Sequence, residues 1–182
     1  MISRISAPRG VLLLAFTVSC ASARGVPPQA PPAAPRPLPQ AAGAVEAGRD
    51  PAPRVRLVAT GGTISNRAGG RLTAEELVKA IPELPRYATP EFEQFLNVAS
   101  SQVTLAQWLD LAHRINELFR TDPQLAGIVV TSGTDTLEEL AYFLNLAVRD
   151  SRPVAVVGSM RNPSTLGYEG AANLLVGFRV AA

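Results

Sequence analysis

Four short stretches of this chain concentrate small, hydroxyl-bearing and charged side chains: T-G-G-T-I-S at Thr60–Ser65, A-S-S-Q at Ala99–Gln102, T-S-G-T-D-T at Thr131–Thr136 and G-S-M-R-N-P-S-T at Gly158–Thr165. Hydroxyls and backbone N–H groups can hold a carboxylate or a developing oxyanion, and a carboxylate such as Asp135 can hold an ammonium group. Together they suit a small zwitterionic or amide substrate. Each cluster alone has a plainer explanation. Glycine after a strand is often only a turn. Asp135 and Glu138 have the spacing of a helix-start cap, and Ser101 and Thr104 could open a helix in the same way. Arg161 could merely cover a surface edge. The recurrence of four such clusters is the stronger signal.

Other chemistries fit less well. T-G-G-T is neither a Gly-x-Gly-x-x-Gly fingerprint nor a phosphate loop ending in Gly-Lys-Ser/Thr. No Gly-x-Ser-x-Gly elbow occurs, and the sole histidine, His113, falls inside a helical pattern, which argues against a Ser-His-Asp hydrolase. No His-x-x-x-His, Cys-x-x-Cys or calcium-loop spacing is present, so no metal is expected. No cluster of basic residues interleaved with aromatics supports a nucleic-acid partner.

The elements that must position these clusters alternate. Strands are expected at Val55–Ala59, Phe92–Val98, Leu125–Val130 and Val154–Val157, short runs rich in apolar residues, the second interrupted by Asn97 and two further polar residues, and each followed by one of the four clusters. Helices are expected between and after them. Residues 73–81 pair a Thr73 cap with Glu76, and Thr104–Arg120 carries Leu105, Trp108, Leu109, Ala112, Ile115 and Phe119 on one face. Asp135–Val148 and Gly167–Val180 complete the set. The order β-α-β-α-β-α-β-α implies an α/β fold, a mostly parallel sheet with helices on both faces. Ligands of such sheets bind beyond the carboxyl ends of the strands, where all four clusters fall.

The rest of the chain is of another kind. Of its 182 residues, 1–53 carry five Arg and two acids, whereas 54–182 carry twelve Lys or Arg and thirteen acids, so the excess of positive charge lies outside the folded part. Arg4 and Arg9 precede an apolar run from Val11 to Val18, and Ala21-Ser22-Ala23 offers a cleavage site; residues 1–23 read as an export signal. The single cysteine, Cys20, offers the alternative of a lipid anchor, although Thr17 is a poor lead-in for one. Residues 24–53 contain nine prolines and few large apolar side chains, too little to bury, and read as a disordered linker. The expected location is the periplasm or the secreted fraction.

L-V-A-T-G-G-T-I-S followed by V-V-T-S-G-T-D-T-L-E-E-L-A-Y-F-L resembles the bacterial L-asparaginase family, the threonine-dependent asparaginase/glutaminase type. P-V-A-V-V-G-S-M-R-N-P-S is similar to that family's next strand and loop, and N-V-A-S-S-Q to its substrate-binding turn; the resemblance runs from about Arg54 to the end. It implies that Thr63 is the nucleophile and that Thr134 and Asp135 are the threonine and aspartate of the second motif. That threonine works with a lysine to activate water or a hydroxyl. Ser101 and Gln102 would hold the α-carboxylate and backbone groups of the substrate, Asp135 its α-ammonium, and Gly62 with its turn would help place it. The implied reaction is hydrolysis of L-asparagine to L-aspartate and ammonia, with L-glutamine as a further substrate. It needs no metal or organic cofactor, and the usual assembly is a homotetramer.

Departures from the family pattern are specific. Ser132 stands where the second motif usually has histidine, the lid tyrosine of secreted members has no match, and the usual S-A-D-G-like turn reads G-Y-E-G, Gly167 to Gly170. The only lysine, Lys79, does not match the catalytic one, and the family continues with a further strand and a smaller C-terminal domain. Residues 54–182 are therefore expected to be an incomplete N-terminal domain, inactive alone. The rival functions are a non-catalytic module that binds a small amino acid, and an intracellular amidase of the kind that frees ammonia for transfer-RNA amidation. The export signal weighs against the latter.

Overall fold

A computed structural model describes residues 51–182. The expected export signal, Cys20 and nearly all of the expected linker lie outside the described residues. Strand β1 (Arg54–Gly61) leads through a 3-10 turn at Thr63–Ser65 into a small antiparallel hairpin, β2 (Asn66–Arg67) and β3 (Gly70–Arg71). Helix α1 (Ala74–Lys79) follows, then a 3-10 turn at Leu84–Arg86 and strand β4 (Thr89–Val98). A third 3-10 turn, Ser100–Gln102, precedes helix α2 (Leu105–Thr121). Strand β5 (Leu125–Thr131), helix α3 (Leu137–Ala147), strand β6 (Val154–Val157) and helix α4 (Gly170–Ala181) complete the order.

The main sheet runs β4-β1-β5-β6, and every pairing in it is parallel. Alternation along the central strands sorts their side chains to two faces. Val55, Leu57 and Ala59 of β1 join Val129 of β5 under α1 and α4, where Leu77, Leu174 and Phe178 are buried. Val58, Ile128 and Val130 point the other way, onto Leu111, Ile115 and Phe119 of α2 and Leu140 and Leu144 of α3. The expected α/β architecture, a parallel sheet with helices on both faces, is what the chain adopts. Because β4 and β5 flank β1 on opposite sides, the chain reverses its winding at the β1–β5 boundary, and that boundary opens a crevice at the carboxyl ends.

Local chemistry explains the helix starts. Thr73 accepts from the Glu76 N–H while the Glu76 carboxylate accepts from the Thr73 N–H, and Thr104 with Gln107 repeats the arrangement at α2. The third helix differs from expectation. It begins at Leu137 with Thr136 at the N-cap and no side-chain cap, so Asp135 lies outside it and is not a capping residue. Strand β4 starts at Thr89, three residues before the expected Phe92, and accommodates Pro90 because it is an edge strand of this sheet. The β2–β3 hairpin was not expected from the sequence at all.

Candidate active site

Glycine lets three loop ends meet. Gly61 ends β1 and Gly62 follows it, with φ of 106° and 86°, conformations that favour glycine. A side chain on Gly61 would strike the Val98 carbonyl at the end of β4, and one on Gly62 would strike the backbone of Gly133 beyond β5. Gly133 in turn has room for a hydrogen only, because Ser100 Oγ presses against it. The Gly62 N–H donates to the Val98 carbonyl at 2.9 Å. Thr60 and Thr131 fasten the boundary below: the Thr60 N–H donates to Thr131 Oγ1 at 3.0 Å and its hydroxyl to the Thr131 carbonyl at 2.5 Å, both buried.

A cleft of about 60 Å³ opens where these ends converge. Gly62, Thr63 and Asn66 come to it from the β1 side, Gly133, Thr134 and Asp135 from the β5 side, Ala99 and Ser100 from the β4 side. Arg71 of the hairpin forms the remaining wall. Larger surface grooves exist, one of about 500 Å³ beside His113 and Arg149 between α2 and α3 and one of about 410 Å³ along β6 and α4, but these lie away from the converging ends of β1, β4 and β5. The small cleft gathers glycine-lined backbone, hydroxyls, one acid and one base, and it sits at the winding reversal. That combination, not volume, marks it as the candidate.

Of the residues expected to act, Gly62, Thr63, Thr134 and Asp135 line this cleft. Ser101 and Gln102 do not. They lie in the adjoining turn with their side chains exposed, and the serine that lines the cleft is Ser100, which is 5% exposed. A 3-10 turn rotates about 120° per residue, so adjacent positions in A-S-S-Q face different ways and a shift of one exchanges wall for solvent. Ser100 Oγ is buried without a hydrogen-bond partner among the described residues. Such a group is costly to leave unpaired and is ready for a ligand.

The turn carrying Thr63 is braced from several directions. Ser65 Oγ donates to the Gly62 carbonyl at 3.1 Å, and the same carbonyl accepts from Arg71 at 3.3 Å. Tyr168, from the loop after β6, donates its hydroxyl to the Ile64 carbonyl at 2.8 Å. Burial, and secondarily the neighbouring Glu169 carboxylate, push the Tyr168 phenol up to about 12, so it remains a donor throughout the physiological range. The G-Y-E-G departure thus supplies a strut to the Thr63 turn. Ser132, in the other departure, is buried beneath its turn, where its hydroxyl donates to the Gly133 carbonyl at 3.2 Å. Lys79 is remote from this chemistry: it is exposed on α1 and paired with Glu75 at 2.6 Å.

The sequence carries no signal that marks Arg71, or Ser100 over its neighbour Ser101. A lone arginine after a glycine pair carries no signal until the hairpin folds back to Gly62. Among the described residues no three His, Cys, Asp or Glu side chains cluster as metal ligands would.

Comparison with known proteins agrees with this geometry. Residues 54–182 match the family described as asparaginase, N-terminal. The chain is 42% identical over 139 residues to L-asparaginase 2 of Bacillus subtilis (strain 168), covering 71% of this chain and 37% of that protein. It is 40% identical over 132 residues to L-asparaginase 2 of Escherichia coli (strain K12), covering 67% and 37%. The crystal structure of a probable cytoplasmic L-asparaginase from Campylobacter jejuni superposes with a TM-score of 0.65 at 37% identity, over 69% of this chain and 40% of that one. The chain thus spans about 37% of the length of the curated relatives it matches. With its matched segment beginning at the first residue of β1, the chain belongs to the asparaginase family, through the family's N-terminal domain.

Proposed function

We propose that the protein hydrolyses the side-chain amide of L-asparagine to L-aspartate and ammonia through a threonine acyl-enzyme, with L-glutamine as a second substrate. Thr63 Oγ attacks the amide carbonyl carbon, and the carbonyl π pair moves onto oxygen. Backbone N–H groups of the glycine-lined turns and the Thr134 hydroxyl stabilise that oxyanion. The C–N bond then breaks, ammonia leaves with the proton lost by Thr63, and an ester joins Thr63 to the aspartyl group. Water attacks the ester, aspartate departs and the Thr63 hydroxyl is restored. Asp135 holds the α-ammonium group. The turn containing Ser100, Ser101 and Gln102 holds the α-carboxylate side, and the unpaired Ser100 hydroxyl is its best-placed donor. No metal or organic cofactor enters this scheme.

The observation carrying the reading is the adjacency of Thr63, Thr134 and Asp135 in one cleft at the winding reversal. Ammonia release from L-asparagine by the full-length protein tests it. Thr63→Ala is expected to lower turnover by at least about a hundredfold, since loss of a nucleophile commonly costs more than that. Undiminished turnover would remove Thr63 from the mechanism.

A second reading has its own support. A threonine hydroxyl needs a base, and the sole lysine is held by Glu75 on α1. On that reading the chain binds a small amino acid without turning it over. Calorimetry separates the two: heat on adding L-asparagine with no ammonia evolved favours binding alone. We further propose export directed by residues 1–23, residues 24–53 acting as a linker to the domain at 54–182, and homotetramer assembly. Recovery of the protein solely from the cytosolic fraction would overturn the export proposal.

A further inference from the structure

The cleft holds one acid and one base, Asp135 and Arg71. Neither forms an ion pair with any of the described residues, whose ion pairs lie elsewhere. Arg71 is half-buried, and its one side-chain hydrogen bond, to the Gly62 carbonyl, is long at 3.3 Å. A guanidinium carries five N–H donors in a rigid fork, so most of the capacity of Arg71, which forms one wall of the cleft, is unspent. Two unpaired, opposite charges on the walls of one narrow cleft call for a ligand that bears both signs. A free α-amino acid does so at a single carbon atom.

Arg71 is also held where it can act. The Leu72 N–H donates to the Ser65 carbonyl at 2.7 Å, just past Arg71 in the chain. At the hairpin tip the Ala68 N–H donates to Ser164 Oγ at 2.9 Å, and Arg67 pairs with Glu76 at 3.1 Å. The β2–β3 hairpin is thus tied to the first helix, to the Thr63 turn and to the loop after β6. Its arginine is presented by fixed backbone, so only the side chain remains to be ordered when a ligand binds.

We propose that Arg71 is the specificity-determining cation of this cleft: its guanidinium fork takes the α-carboxylate of the bound amino acid while Asp135 takes the α-ammonium. The proposal rests on the reading of the cleft as an amino-acid site and goes further. The cleft admits the free amino acid and rejects the same side chain when its α-carboxyl is an amide, as in a peptide. The side-chain amide, which is neutral, is left for the Thr63 and Thr134 hydroxyls.

The test is a calorimetric titration of the 182-residue chain with L-asparagine and with its α-carboxamide, which lacks the carboxylate and is otherwise alike. The wild type is expected to bind L-asparagine roughly tenfold or more tightly than the α-carboxamide, in keeping with a bidentate charge-assisted pair. Arg71→Gln is expected to lower that ratio several-fold, the remainder belonging to the Ser100 turn. Arg71→Lys, which keeps the charge and loses the fork, is expected to fall between them, and it carries the test if Arg71→Gln does not fold by circular dichroism. Asp135→Asn is expected to weaken both ligands alike. A ratio unchanged in both Arg71 variants, with binding still dependent on Asp135, would overturn the role of Arg71 and leave the amino-acid reading standing. A wild type that binds neither ligand would overturn both.

Discussion

The centre of the molecule's sheet and its β6 border are built on opposite terms. At the β1–β5 boundary, strands end in glycines and buried hydroxyls, and three backbones approach so closely that no side chain fits between them. At the β6 border, the strand is only four residues long, its first three residues are half-buried, and Val176 and Val180 of α4 stand 55% and 63% exposed beside a shallow apolar trough of about 410 Å³. The first region is polar and closed; the second is apolar and open. Tight backbone packing fixes the relative positions of groups that must act together. An apolar open border does no such positioning, and an uncovered strand edge with exposed valines favours association.

Glycine substitutions sharpen that contrast most strongly. Gly62→Ala adds a methyl against the Gly133 backbone at a φ of 86°, where nothing can yield. We expect a loss of about 2–4 kcal/mol in urea unfolding, together with loss of ligand binding. Gly177→Ala, on α4, meets the Val157 side chain at 2.6 Å at an ordinary helical backbone conformation, and the crowding is partly offset by gained helix propensity. It is expected to cost about 1–2 kcal/mol with binding intact. Equal losses at the two sites would erase the distinction.

A smaller effect is expected at the strut. Tyr168→Phe removes the donor to the Ile64 carbonyl and should cost about 1 kcal/mol, with faster amide exchange in the Thr63 turn. The phenol's folded pKa is raised, from 10.0 to about 12, so its contribution is whole below about pH 10 and is lost as pH rises through about 12. Wild type should lose stability across that alkaline window more steeply than Tyr168→Phe; parallel curves would refute the link. The smallest change in stability belongs to Val180→Glu on the open border. It should unfold within about 0.5 kcal/mol of wild type, while light scattering reports less self-association.

Much of this was legible in the sequence, for identifiable reasons. The short apolar runs at Val55–Ala59 and Val154–Val157, stopped soon after by glycine, read as strands, and the cap of the first helix was written in the spacing of Thr73 to Glu76. Thr63, Thr134 and Asp135 were visible because they follow such runs directly. What was hidden depended on rotation or on return of the chain. Which serine of A-S-S-Q faces inward is set by the phase of a 3-10 turn, and sequence does not encode that phase legibly. The hairpin strands have two residues each, too few for alternation to show, so Arg71 read as loop. Asp135 resembled a cap because Glu138 follows at the right interval; the helix instead opens two residues after it.

The paired bonds between Thr60 and Thr131 have a further consequence. They rivet two neighbouring strands just beneath the place where a guest would sit, so sliding either strand by one step would rupture both at once. An arriving molecule therefore meets walls already assembled, and the speed of its capture should follow how quickly it diffuses in, with little waiting for the host to rearrange.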